Sequence, residues 1–335
     1  ELTGIQKSIL NDVIKGKRSL TPEMALLIEN ALGISATFLL NLQTQYELDC
    51  AKQSERVILQ TKMLEIWNVL KGHVSTQFFK KVNIIKGNII EDVNRVFEVF
   101  AVDNLDDFFG LKAQEMELPY YYRKSEKVTT NPIDIFSWKY YCYHLAKQDH
   151  ADLKTFDKDN AEALTKELNK VFKENVDTVK KTGEVLNKYG IRFMIVKKVG
   201  QVPVDGMSFW IGENPTIVVT ERIASIDNFA FTTLHEVGHV YNHLTKDGKA
   251  MINLLDEKKN SEETEADHFA LNAVVPDAVW KKFLSKTRDI VPYKIAPYIK
   301  EEADRYEVNP QILFGRYKHD IGMYKIKNYF ETRIL

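Results

Sequence analysis

Histidine, glutamate and histidine at positions 235, 236 and 239, within Leu234-His235-Glu236-Val237-Gly238-His239, are spaced for hydrolytic chemistry on a metal. Side chains four apart on an α-helix project from one face, so one divalent ion can accept both imidazoles. Glu236 then points roughly a quarter turn away. From there its carboxylate can reach a water at the ion's open position without displacing it, which is where the general base of a zinc hydrolase must sit.

A catalytic zinc takes three protein donors and leaves a fourth position open, so a third donor must come from elsewhere in the chain. Residues 260–270 read as the start of a later helix, and Glu263 is the choice within it, with Glu262 and Glu265 as substitutes. Asp267 lies one turn further along the same face, placed to accept the outer N–H of a ligating histidine and hold its tautomer. A capping box from Asn260 to Glu263, with acids favoured by the helix dipole, accounts for the same acids but not for the histidines. His243 is a rival third ligand. It stands nearly two turns beyond Glu236, so it is expected on the Glu236 side of the helix, and the glycine turn of the metzincin pattern is missing. We read it as an outer group beside a ligand or the substrate, against the plainer reading of a surface histidine.

These side chains need elements to hold them. A helix starting at Ser225 or Asp227 and running to Leu244 would carry Ala230, Leu234, Val237, Tyr241 and Leu244 on one apolar stripe, with the two histidines on another. Gly238 inside it costs about 1 kcal/mol relative to Ala, a cost explained if another backbone comes close there. Upstream, residues 160–189 read as one long helix stopped by Gly190. Residues 191–199, 206–211 and 216–220 then read as strands. Residues 207–210 could align an extended peptide if they formed a sheet edge, and buried-strand packing accounts for Phe209 and Trp210 equally well. The fold class is therefore α+β and mainly helical, with a short β-sheet beside the metal site.

The chain has 335 residues, enough for two or three domains, and a net charge of −1, which gives no global attraction for nucleic acid. Any DNA contact must come from a local surface. Lys7, Lys15, Lys17 and Arg18 against Asp12 give residues 4–18 a positive excess, although acids elsewhere in the first fifty residues cancel it. Cys50 and Cys142 lack metal-ligand spacing and suggest free thiols in a reducing cytoplasm. Neither a run of about 18 apolar residues nor a charged-then-apolar leader is visible, so no membrane partner is expected. Residues 51–150 read as helical. Ile58, Leu59, Met63, Ile66, Trp67 and Leu70 suit one packed helix, and Val93, Val96, Phe97, Phe100, Leu105, Phe108 and Phe109 suit a second cluster. Trp138, Tyr140, Tyr141 and Tyr143 read as core or interface and not as a base-stacking platform.

Thr233-Leu234-His235-Glu236-Val237-Gly238-His239, followed by Glu263, Ala266, Asp267, Phe269, Ala270 and Pro276, resembles the ImmA/IrrE family of bacterial zinc metallopeptidases. Gly206-Met207-Ser208-Phe209-Trp210-Ile211 and Pro215-Thr216-Ile217-Val218-Val219 resemble its strands before the active-site helix, and Phe314-Gly315-Arg316-Tyr317-Lys318-His319 resembles its late Gly-Arg element. The likeness covers roughly residues 155–325. It implies a small zincin-like domain in which Zn²⁺ is held by His235, His239 and Glu263. Glu236 is then the catalytic base, with Asp267 and His243 outside the ligands. Asp267 stands where members commonly carry asparagine, and it suits the outer role better.

The N-terminal segment resembles something else. Residues 4–18 read as a short helix with a glycine end and a basic turn. Thr21-Pro22-Glu23 then opens a second helix that ends at Gly33. This is similar to the second half of a helix-turn-helix of the XRE/HigA-antitoxin type. The likeness implies that Gln6, Lys7, Ser8 and Asn11 face base edges while Lys15, Lys17 and Arg18 meet phosphates. It also implies further helices before Glu1, a homodimer, and operator DNA bound by a longer chain instead of residues 1–50 alone.

The expected organisation is a partial DNA-binding domain over 1–50, a helical linker domain over 51–150 and a metallopeptidase domain over 151–335. The expected function is a bacterial or phage regulator that cuts a protein substrate, a repressor or a toxin. The alternative is an antitoxin-like repressor whose zinc is structural or sensory. For the oxyanion of a tetrahedral intermediate, His243, Tyr241, Arg316 and His319 are the candidate donors.

Overall fold

The computed structural model describes residues 2–116, 131–198, 204–221, 223–246, 250–254, 261–288, 290, 294–322, 327 and 329–334. Among them the chain divides into two compact units, Glu1–Gly72 with Gly87–Val93, and His73–Lys86 with Asn94–Leu335. The fold is α+β and mainly helical, with one four-stranded sheet.

The first unit carries α1 (Lys7–Ile14), α2 (Pro22–Leu32), α3 (Ala36–Lys52) and α4 (Glu55–Leu70). Local chemistry sets the ends of α2. Thr21 Oγ1 accepts a hydrogen bond from the Met24 amide at 3.3 Å, Pro22 occupies the first turn, and Gly33 closes the helix at φ 73°. The interior is thin: Ala25, Ala36 and Leu70 are buried, whereas Leu26, Leu27, Phe38, Leu42 and Tyr46 are exposed. The packed helix expected from Ile58 to Leu70 is only half realised, because Ile58 and Leu59 face outward in a helix whose apolar residues are spread around its circumference.

The second unit begins with α5 (Thr76–Lys81), the Asn94–Phe100 part of α6 (Ile89–Phe100), whose start belongs to the first unit, α7 (Leu105–Met116) and α8 (Pro132–Gln148). Phe100 packs on Phe108, Phe136 and Tyr140 with ring centroids 5.0, 4.9 and 5.2 Å away. Trp138 is buried and donates to the Lys197 carbonyl at 3.1 Å, so these aromatics build core, as expected.

After a 3₁₀ turn, the single helix expected over 160–189 is two helices, α9 (Ala161–Glu174) and α10 (Thr178–Lys188). Asn175 and Asp177 both adopt left-handed backbone (φ 46° and 50°), a conformation that Asn and Asp tolerate better than most residues, and this stops one helix and re-aims the next. Asn175 is fixed there by donating to the Arg333 carbonyl and accepting from Thr178 Oγ1.

The sheet comprises β1 (Arg192–Val196), β2 (Val204–Ile211), β3 (Asn214–Thr220) and β4 (Met251–Leu254), in the order β1-β3-β2-β4. β1 runs parallel to β3, and β2 is antiparallel to both β3 and β4. Met207 pairs with Val218 on one side and Ile252 on the other. β4 pairs with β2 as far as Ser208, so Met207 and Ser208 are interior and not the free edge considered for residues 207–210, whereas Phe209 and Trp210 extend past the β4 pairing. Alternation along β2 turns Phe209 toward α8, where its ring meets Tyr143 at 4.5 Å.

The remaining elements are α11 (Ile226–Asn242), which follows β3, then α12 (Ser261–Val274), α13 (Asp277–Thr287), α14 (Ile295–Arg305) and α15 (Pro310–Asp320). The main core gathers Leu164, Leu168, Phe172, Ile217, Phe229, Leu234, Val237, Phe283, Leu313 and Phe314. No helix among the described residues is long and apolar enough to cross a membrane.

Candidate metal and catalytic site

The site hangs on α11. Its apolar stripe of Ala230, Leu234, Val237, Tyr241 and Leu244 is buried, as expected. The opposite side is buried too, with His235, Glu236 and His239 almost wholly removed from solvent, because α12 and β2 close over it. Gly238 explains how α12 comes so near. A Cβ there would stand 3.2 Å from the Ala266 Cα and from Phe269 Cβ, the close backbone approach that the glycine foretold. The proposed cap Asn260 lies outside the described residues.

That crossing carries Glu263 and Asp267 to the histidines. His235 Nε2 and His239 Nε2 lie 3.0 Å apart, and the two Glu263 oxygens stand 3.2 Å from the first and 3.3 Å from the second. Tetrahedral zinc with metal–nitrogen bonds of about 2.0–2.1 Å sets its donors about 3.3 Å from each other, so this triangle fits one such ion. Among the described residues these three form the group able to hold a metal. Asp267 Oδ1 meets His235 Nδ1 at 2.9 Å, the contact that leaves Nε2 free to face the triangle. Glu262 is exposed and takes no part in the triangle.

The two glutamates differ sharply. Burial pushes Glu263 up, but hydrogen bonds from His235 and His239 outweigh it and bring the carboxyl to about 2. Burial pushes Glu236 up to about 8; the His235 charge opposes this and the Glu263 charge adds to it. Neither Glu236 oxygen has a partner in good hydrogen-bond geometry among the described residues, although the side chain is 0% exposed, and the nearby Ser208 hydroxyl offsets only part of the rise. A carboxylate so poorly satisfied so deep in a fold calls for a functional reason. Its place is made by Gly206 of β2, where a Cβ would fall 2.5 Å from Glu236 Oε1. Ser208, on the same face of β2, has a buried hydroxyl whose influence falls on Glu236, lowering its pKa against the effect of burial.

His243 does not lie on the Glu236 side. It follows the last turn of α11 four residues after His239, and the two Nδ1 atoms are 3.1 Å apart. The other candidate oxyanion donors lie apart from the triangle's open side or are otherwise engaged. Arg316 donates to the Leu271 and Val275 carbonyls at 2.6 and 2.8 Å and lies 4.3 Å over the Trp280 ring. It thereby caps the C-terminal end of α12. Its neighbour Gly315 leaves room for Asp227 in the first turn of α11. The late Gly-Arg pair thus ties α15 to both helices of the site. His319 is exposed beside Asp320, and Tyr241 packs on Phe156. Gly206 escaped functional reading, and Arg316 was read as an oxyanion donor and not as a helix cap, because their partners are distant in sequence; an isolated glycine in a strand was the only signal for the first.

Residues 186–313 match a peptidase family model, Peptidase_M78, described as the IrrE N-terminal-like domain. No curated protein matches the chain. The matched segment contains every residue of the triangle, Glu236, Asp267 and His243. It supports the ImmA/IrrE likeness and a metallopeptidase class for this part of the chain. It covers neither the first unit nor the Gly315–Arg316 pair.

All seven residues assigned to DNA by resemblance, Gln6, Lys7, Ser8, Asn11, Lys15, Lys17 and Arg18, are exposed on α1 and the turn after it.

Proposed function

We propose that the chain is a zinc-dependent endopeptidase joined to a DNA-reading region. Residues 1–50 would contact operator DNA, 51–150 would link, and 151–335 would hydrolyse a protein substrate such as a repressor or a toxin. The observation that carries this reading is the fully buried carboxylate of Glu236, without a well-formed hydrogen bond among the described residues, beside the His235, His239 and Glu263 triangle.

His235, His239 and Glu263 would hold Zn²⁺, which when bound supplies Lewis-acid polarisation of the scissile carbonyl and acidifies water. Glu236 accepts the proton of the attacking water at one of its oxygens and delivers it to the leaving amine nitrogen. Asp267 holds His235 in the tautomer that aims Nε2 inward. A repressor with a purely structural zinc would gain nothing from a buried base without a well-formed hydrogen bond, and this weighs against the regulator-only reading.

Metal content by mass spectrometry, on protein purified without added zinc or an affinity tag, tests the proposal. One zinc per chain, lost in His235→Ala and retained in Glu236→Gln, is the expected result. No zinc in the wild type, or zinc indifferent to His235→Ala, overturns it.

A further inference from the structure

His235 and His239 both point Nε2 into the triangle, yet only His235 has a carboxylate directly on its outer nitrogen. The outer nitrogen of His239 meets another imidazole, that of His243, with the Nδ1 atoms 3.1 Å apart. The far side of that second ring continues the chain of contacts, for His243 Nε2 lies 3.1 Å from Glu265 Oε2. The His239 and His243 rings are tilted by 58° with centroids 5.2 Å apart, an edge approach and not a face-on stack. His243 is held where it stands by the backbone: its amide donates to the His239 carbonyl at 2.9 Å, and the amide of the buried Leu244 donates to the same oxygen. Its side chain is only 8% exposed, whereas that of Glu265 is 64% exposed.

Proton bookkeeping along this line has one solution when a metal takes the Nε2 lone pair of His239. The His239 hydrogen must then sit on Nδ1 and donate to His243 Nδ1, which must offer a lone pair. His243 therefore carries its own hydrogen on Nε2 and donates it to Glu265 Oε2. The opposite tautomer of His243 would set two N–H groups facing each other. We infer that His243 and Glu265 form a two-step relay that fixes the tautomer and direction of His239, the counterpart of the single Asp267 contact on His235. His243 is thus a positioning residue for a ligand and not itself a ligand, and Glu265 acts through it from the surface. The inference rests on the zinc-binding reading above. Metal sites owe much of their affinity to such outer contacts, whose loss costs about 10–100-fold.

The test is zinc affinity by chelator competition on the whole chain, read beside ¹⁵N imidazole spectra of the zinc-loaded protein. His243→Phe keeps a ring of similar volume without an acceptor and should weaken zinc about 10-fold or more. His243→Asn keeps an acceptor at the Nδ1 position and should retain most of the affinity. Glu265→Ala should weaken zinc by a smaller factor and add nothing in the His243→Phe background, since the two act in series. Glu262→Ala, on the same turn of α12, should have no effect. The spectra should show His239 protonated at Nδ1. Wild-type affinity in His243→Phe overturns the relay, as does an Asn variant as weak as the Phe variant, or Glu262→Ala matching Glu265→Ala. If His243→Phe does not fold, the Asn and Glu265 variants and the spectra decide. A wild type without zinc removes the peptidase reading and the relay together; zinc bound with unchanged affinity in the variants removes the relay alone.

Discussion

Helices α1 and α11 both announce chemistry in the sequence, and the fold treats them in opposite ways. On α1 no residue is buried, and Gln6, Lys7, Ser8 and Asn11 are exposed. On α11 the functional side chains are buried from 235 to 239, gripped by α12 on one side and β2 on the other. The contrast fits the tasks proposed for the two helices. A surface that reads a ligand as large as a duplex can leave its side chains free until the ligand orders them. A site that aims a proton at one atom must fix its groups beforehand, and it must hold its base away from bulk water. Substitutions near α11 should therefore disturb stability and metal together, and those on α1 should disturb neither.

The largest effect is expected at Glu236. Its carboxyl is raised from 4.5 to about 8 in the metal-free fold. A carboxyl that binds its proton more tightly folded than unfolded lowers stability as pH rises from 4.5 to about 8, and the loss levels off beyond. Glu236→Gln removes that dependence. In chelator-treated protein at pH 9 the variant should be more stable than wild type by on the order of 4 kcal/mol, and the two should converge near pH 4.5. Denaturant midpoints across pH measure this. A gap that is flat with pH would show that Glu236 is not carrying a buried charge. In the zinc-loaded protein the same variant should lose about 10²–10⁴-fold in turnover of any protein it cuts, with metal retained.

Next in size is the cap on the ligand helix. Arg316→Ala leaves the Leu271 and Val275 carbonyls without their charged donor and removes the cation from Trp280, for an expected loss of about 2–3 kcal/mol. Because α12 carries Glu263, zinc affinity should fall as well. Thermal melts and chelator competition give the two readouts. Stability lost with affinity unchanged would mean that the N-terminal turn of α12 is positioned by the Gly238 crossing alone.

Gly206→Ala should cost about 1–3 kcal/mol, the usual range for an overpacked core. Most of that cost should vanish in combination with Glu236→Ala, since the clash is with the Glu236 carboxylate itself. Additive costs in the double variant would place the strain in the β2 backbone and not in this contact.

The order of these effects mirrors what could be read from the sequence. His235, Glu236 and His239 were legible because their geometry is local: helical spacing alone sets which side chains share a face. Glu263 and Asp267 were legible one turn apart for the same reason, and Gly238 betrayed the crossing that brings them in. Gly206 beneath Glu236 was not, since that contact depends on the register of a strand against a distant helix. β2 was considered as an edge because the strand that pairs with it as far as Ser208 spans only Met251–Leu254, too short to signal itself. Arg316 was considered as an oxyanion donor because a cation near the end of such a chain does not reveal which carbonyls it caps. His243 was misplaced by counting turns from Glu236, when its partner is His239. The break at Asn175–Asp177 was missed because helical periodicity resumes on both sides of it.

The smallest effect is expected on α1, and it is the most direct attack on the contrast. Replacing Lys7, Lys15, Lys17 and Arg18 together by Ala should change stability by no more than about 0.5 kcal/mol at each position, because exposed side chains without capping or pairing roles contribute little. Zinc content should be untouched. If the basic turn contacts phosphates, binding to operator DNA should weaken for every sequence alike. The slope of log affinity against log salt should also fall by about 0.9 for each contact removed. Replacing Gln6 and Asn11 should instead weaken binding selectively by base sequence, at about 1–3 kcal/mol per lost base contact, and leave the salt slope alone. Loss of fold or of zinc in the α1 variants would erase the distinction between the two helices. A salt slope unmoved by removing four cations would take the basic turn off the DNA.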